Sequence, residues 1–185
     1  MLVRRDKNAL TLGKKKMTGE INCSTSKQID LIKLKELSKK LKITINDIIL
    51  SAISTTIQEY FKLSGDKLGS KPDGKAFINI LIPANIRYGM YPTAEEVKLE
   101  NMFAALPLQI PLFSNMKNSY KQIVNMTKDL KGKYPYIVAS YVLSYWSSLL
   151  SPRFLPRLVL HESSLRFTLA FSNTPGPVKP FPVST

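Results

Sequence analysis

The chain has 185 residues, 44% hydrophobic and 22% charged; this suffices for one packed domain, or one half of a larger fold, and excludes a disordered chain. Its single cysteine, Cys23, excludes an internal disulfide and a cysteine-built metal cluster, and points to a reducing compartment. A net charge of +14 admits nucleic acid, an anionic membrane surface or a phosphorylated small molecule such as a nucleotide thioester as partner.

Residues 1–16 carry six Lys or Arg against one Asp and no apolar stretch of signal-peptide length, so they read as a basic lead, with 17–185 as the domain. MTGEINCS (17–24) has the composition of a strand. SKQIDLIKLKELSKKLK then forms an amphipathic helix, with Leu31, Leu34, Leu37 and Leu41 on one face and lysines opposite. After a break at Ile43, TINDIILSAISTTIQEYF predicts a largely buried helix whose stripe is Ile49, Ile53, Ile57 and Tyr60, filled in by Ala52 and Thr56.

KLSGDKLGSKPDGK (62–75) is a polar loop. AFINILIPANIR (76–87) is a continuous apolar run ended by a proline, expected to be a strand buried on both faces. MFAALPLQIPLF is a second such run, and its Pro107, which cannot donate to a ladder, indicates a strand end or a sheet edge. Residues 115–132 are polar and helical. YPYIVASYVLSYWSSLL is a further helix; its longest greasy stretch, 137–150, has 14 residues and four serines, too short for the roughly 20 apolar residues of a membrane span. SPRFLPRLVL suits another short helix and LRFTLAFSN a strand. The class is mixed α/β, with about four strands.

No complete catalytic set is present. The one histidine, His161, sits in LVLHESS at a helix-to-strand corner, where histidines are mostly structural. GxGxxG, P-loop and GxSxG signatures are absent. Thr44 and Asp47 have the spacing of a helix cap, the carboxylate reaching back to the cap or sitting at the positive helix end, which leaves Asn46 without a role. In FSNTPGPVKPF (171–181), Pro175-Gly176 suits the centre of a type II turn, but Pro177 has no N–H to close it. The result is a rigid segment held by outside packing, with Ser172 and Asn173 offering a hydroxyl and an amide as a channel wall.

ITINDIILSAISTTIQEYF, INILIPANIR, ENMFAALPLQIPL and FSNTPGP, in this order and approximate spacing, resemble the C-terminal half of the wax ester synthase/diacylglycerol acyltransferases over about residues 17–182. The resemblance implies the C-terminal subdomain of a chloramphenicol-acetyltransferase-like, CoA-dependent acyltransferase sandwich, in which two α/β halves enclose a tunnel. It also implies a His-His-x-x-x-Asp-Gly motif in an N-terminal half as the base that deprotonates the acceptor hydroxyl. That motif is absent from this chain: its one Asp-Gly, Asp73-Gly74, has no histidine before it.

Carried over residue by residue, the family's Asn-Asp pair falls on Asn46 and Asp47 as channel or structural residues, together with Pro175, Gly176 and Pro177. Ser172 and Asn173 are expected to support a developing oxyanion. No metal and no resident cofactor are expected; acyl-CoA is the co-substrate. The implied partners are a long-chain alcohol or diacylglycerol, a peripheral membrane or lipid-droplet surface inside the cell, and an N-terminal acyltransferase half in cis or in trans, without which the chain is expected to be inactive. The alternative is a non-catalytic remnant that binds acyl lipid, membrane or a partner. Nucleic acid is not expected, because the lysines are scattered without an Arg-rich cluster or interleaved aromatics.

Overall fold

The computed structural model describes residues 4–11, 19–85, 103–132, 135, 138, 139, 141, 142, 145, 146, 152, 154, 161, 162 and 164–174. Helices α1 (Leu31–Leu41) and α2 (Ile45–Leu63) lead into strand β1 (Phe77–Asn85). Strand β2 (Phe103–Pro111), helix α3 (Met116–Gly132) and the short strand β3 (Leu169–Ala170) follow. The sheet order is β2-β1-β3, with β1 antiparallel to β2 and parallel to β3. This is a mixed α/β arrangement, as the alternation of apolar runs and helical stretches predicts.

The core lies between this sheet and the helices α2 and α3. Ile78 and Ile80 of β1 and Leu108 and Ile110 of β2 meet Leu50, Ile57 and Phe61 of α2 and Ile123 of α3. Along β2, exposed and buried residues alternate, so among the described residues β2 packs on one face and not, as its apolar run suggests, on both. The two prolines fit the ladder for a geometrical reason. Thr168 and Phe171 donate their backbone N–H to the carbonyls of Asn79 and Leu81, so odd-numbered residues of β1 turn their backbone groups toward β3. Pro83 has this orientation but lies past the end of β3, where no ladder partner is missed. Pro107, opposite Leu81, points its nitrogen away from β1, toward a side of β2 where no strand pairs among the described residues. Among the described residues the edge expectation for β2 therefore holds, whereas β1 continues through its proline to Asn85 instead of ending there.

Two other expectations are corrected. Residues 19–24 form no strand and are exposed; both sides of β1 are already taken by β2 and β3. The buried face of α2 is turned from the predicted stripe: Ile48, Leu50, Ser51, Ser54, Ile57, Gln58 and Phe61 are buried, whereas Ala52, Thr56 and Tyr60 are exposed. Buried serines are tolerated because Ser51 Oγ donates to the Asp47 carbonyl (2.6 Å) and Ser54 Oγ to the Pro111 carbonyl (2.7 Å), which ties α2 to the end of β2.

Gln58 Nε2 similarly holds the 62–75 loop through the Gly69 carbonyl. At Gly69 a Cβ would lie 2.4 to 2.6 Å from backbone atoms of Phe61 and Lys62, so only glycine fits. Helix α1 buries no residue: Leu31, Leu37 and Leu41 are all exposed. Among the described residues no helix is long and apolar enough to cross a membrane. The expected helices over 134–150 and 151–160 fall largely outside the described residues.

Arg4–Thr11 lies against the sheet. Asp6 accepts from the backbone N–H of Asn79 and from its Nδ2 (2.7 Å each), and from Thr168 Oγ. Its carboxylate thereby takes a place on the β1 edge just before β3 begins. Burial pushes the Asp6 carboxyl above its ordinary value of 3.8, against the opposing pull of the Thr168 and Asn79 hydrogen bonds. A raised folded-state pKa means stability that is full below about 3.8 and is lost as pH rises through the folded-state value. The stability of wild type minus that of Asp6→Asn should therefore fall between about pH 3 and about pH 7 in urea titrations. A difference that rises over that interval contradicts the assignment.

Candidate functional site

The site is built where the first turn of α2 meets the segment that leaves β3. The turn begins at Thr44, whose extended backbone (φ −82°, ψ 158°) and hydroxyl, accepting from the Asp47 N–H, make a helix cap. Asp47 reciprocates. Its Oδ2 accepts from the Thr44 backbone N–H (2.8 Å) and hydroxyl (2.7 Å), and the carboxylate lies in the first turn, where the helix end is positive. The predicted cap is thus present in full.

Asp47 also does something the cap does not require. It is only 3% exposed, and its Oδ1 accepts from Thr127 Oγ of α3 at 2.6 Å. A buried carboxylate is costly unless each oxygen is hydrogen-bonded. Here one oxygen serves the cap and the other fastens α2 to α3.

Asn46, next to this fixed point, faces outward. Its Oδ1 accepts from Asn173 Nδ2 at 2.6 Å, across 127 positions of sequence. Two residues singled out separately in the sequence are thereby brought together, and Asn46 gains the role that capping alone leaves open. Ser172 is exposed beside this pair. Pro175, Gly176 and Pro177 lie outside the described residues. An amide carries two N–H donors, so the bond to Asn46 orients Asn173 and leaves its second N–H to donate elsewhere.

His161 is exposed, and its carbonyl caps the turn of residues 161–165 by accepting from Ser164 Oγ and the Leu165 N–H. Asp73 holds the entry to α3: its Oδ1 accepts from the Ser114 N–H and hydroxyl, both at 2.8 Å, and the backbone bond is the main cause that lowers its pKa. Among the described residues no three His, Cys, Asp or Glu gather to hold a metal ion.

The chain is 24% identical over 156 residues to the O-acyltransferase WSD of Acinetobacter baylyi, a match that covers 84% of this chain and 32% of that protein. The chain is distantly similar to an O-acyltransferase. The match supports a distant relationship with that family, and the chain spans about a third of the length of the relative. No protein-family model and no solved structure matches the chain.

Sequence reasoning missed Thr127 and the Asn46 to Asn173 bond. Thr127 carried a signal: with Ser119, Ile123 and Val124 it lies at three- and four-residue spacing, the buried stripe of an otherwise polar helix. The long-range amide bond left no such trace. Thr44→Ala should cost about 1 kcal/mol. Asp47→Ala should cost about 2 to 3 kcal/mol, because it removes the carboxylate from the cap and from Thr127 alike, leaving the Thr127 hydroxyl only the longer bond to the Val124 carbonyl. Equal losses for the two variants in urea unfolding would show that the tie to α3 contributes nothing.

Proposed function

We propose that the chain is the C-terminal half of an acyl-CoA-dependent O-acyltransferase that esterifies long-chain alcohols or diacylglycerol, giving wax esters or triacylglycerol. The observation that carries this reading is the 2.6 Å bond between Asn46 and Asn173. It joins two of the stretches on which the family resemblance rests, and the O-acyltransferase similarity supports the same reading.

In the reaction, a base in the N-terminal half takes the proton of the acceptor hydroxyl. The alkoxide oxygen attacks the thioester carbonyl, the carbonyl oxygen becomes an oxyanion, and the ester forms as the CoA thiolate leaves and is protonated. This chain's contribution is to orient. Asn46 fixes one N–H of Asn173, and the second N–H, with the Ser172 hydroxyl, donates to the developing oxyanion. The basic surface attracts the phosphates of CoA and an anionic membrane. Tyr145 and Trp146, 54% and 55% exposed and packed edge to face, are amphipathic rings suited to the lipid boundary.

A second reading, a non-catalytic remnant that binds acyl lipid, membrane or a partner, is favoured by the lone histidine of the chain. Supplying in trans an N-terminal half with the His-His-x-x-x-Asp-Gly motif separates the two, with ester formed from a long-chain acyl-CoA and an alcohol or diacylglycerol as readout. Ester synthesis is expected with the wild-type chain. The Ser172→Ala, Asn173→Ala double variant should lower turnover about 100-fold with little change in melting temperature, since both residues are exposed. Full turnover in the variant contradicts the oxyanion role, and absence of ester from every pairing favours the remnant.

A further inference from the structure

The one buried carboxylate of α2 reaches across to α3 immediately beside the residue that holds Asn173. Asp47 Oδ2 is occupied by the backbone N–H and hydroxyl of Thr44, and Oδ1 by the hydroxyl of Thr127. Thr127 is 7% exposed, and its hydroxyl carries a single proton. That proton has two acceptors in range, Asp47 Oδ1 at 2.6 Å and the Val124 carbonyl at 3.1 Å. The shorter, charge-assisted bond is the stronger, so the proton lies toward Asp47.

The helix start is consequently fixed at two points, along its own axis by the cap and sideways by α3. Asn46 adjoins Asp47, and its short amide bond to Asn173 tolerates only small displacements of the turn. We infer that Thr127 is a positioning residue: by holding Asp47, its hydroxyl sets where Asn46 meets Asn173, and so how the amide of Asn173 is presented. Without the hydroxyl, Asp47 Oδ1 is left buried with no partner, and the turn must shift to rehydrate it. Asn46 moves with it. The ordering runs through three contacts, Thr127 to Asp47, Asp47 to the α2 backbone, and Asn46 to Asn173. No contact between Thr127 and any substrate is involved.

This inference rests on the acyltransferase reading only for its effect on turnover, and its test has a readout that needs no substrate. The probe is the side-chain NH2 resonance pair of Asn173 in the nitrogen-15 spectrum of the full chain, assigned by its loss in Asn173→Ala. Thr127→Val should move this pair toward its position in Asn46→Ala, while resonances of β1 and β2 stay in place; Thr127→Ser, which keeps the hydroxyl, should leave the pair unmoved. An unmoved pair in Thr127→Val, or an equal shift in Thr127→Ser, overturns the inference.

Should Thr127→Val fail to fold, the coupling is read from the other end, because it is reciprocal. Asn173→Ala changes an exposed residue, and it should shift the methyl resonance of Thr127; an unshifted methyl overturns the inference. In the enzyme restored with an N-terminal half, Thr127→Val should lower kcat about tenfold, with KM within about twofold, and Thr127→Ser should recover it. A shifted Asn173 pair in a chain that supports no ester synthesis leaves the positioning role standing and counts against the acyltransferase reading alone.

Discussion

The site depends on one buried ion. At 3% exposure the Asp47 carboxylate has given up most of its hydration, and the loss is offset only if the protein supplies donors in the right places. It supplies three, two from Thr44 and one from Thr127. A carboxylate satisfied in this way has little freedom to move, and neither has the helix start that carries it. The same side chain therefore caps α2, fixes its angle to α3 and leaves the neighbouring Asn46 at a defined position on the surface.

The sheet holds the other amide. β3 contributes only two residues to it, yet hydrogen bonds from Thr168 and Phe171 on either side lock it to β1. The segment that follows thus emerges at a fixed place, and Asn173 closes on Asn46. Before β3 begins, the Asp6 carboxylate accepts the Asn79 N–H. A side chain here takes on what a longer strand would do, and the desolvation of that side chain makes the arrangement sensitive to pH. The proposed function draws on this meeting, because an amide held by a second amide keeps one N–H donor free to present.

Much of this was legible in the sequence wherever a local rule decides. Thr44 and Asp47 announced the cap because capping depends on residues three apart. The runs 76–87 and 102–113 announced strands, and Pro107 announced an edge, because a missing N–H has the same consequence in any sheet. Local rules failed where the choice was between equivalent local patterns. α2 is apolar on more than one side, so its period fitted several stripes, and the hydroxyl partners of Ser51 and Ser54 decided which one is buried. Residues 19–24 have strand composition, yet β1 had no side left to offer them. The bond between Asn46 and Asn173 depends on the whole fold and was not legible, although both residues were. The family resemblance selected those two residues; only the geometry shows that they meet.

The central claim is that Asp47 and Thr127 form one unit. A double-mutant cycle on unfolding free energy, combining Asp47→Ala with Thr127→Val, measures it directly. A hydrogen bond between a hydroxyl and a buried carboxylate predicts a coupling of about 1.5 to 3 kcal/mol. Losses that add to within about 0.5 kcal/mol would mean that the two side chains act independently, and the account of how Asn46 is held against Asn173 would be wrong.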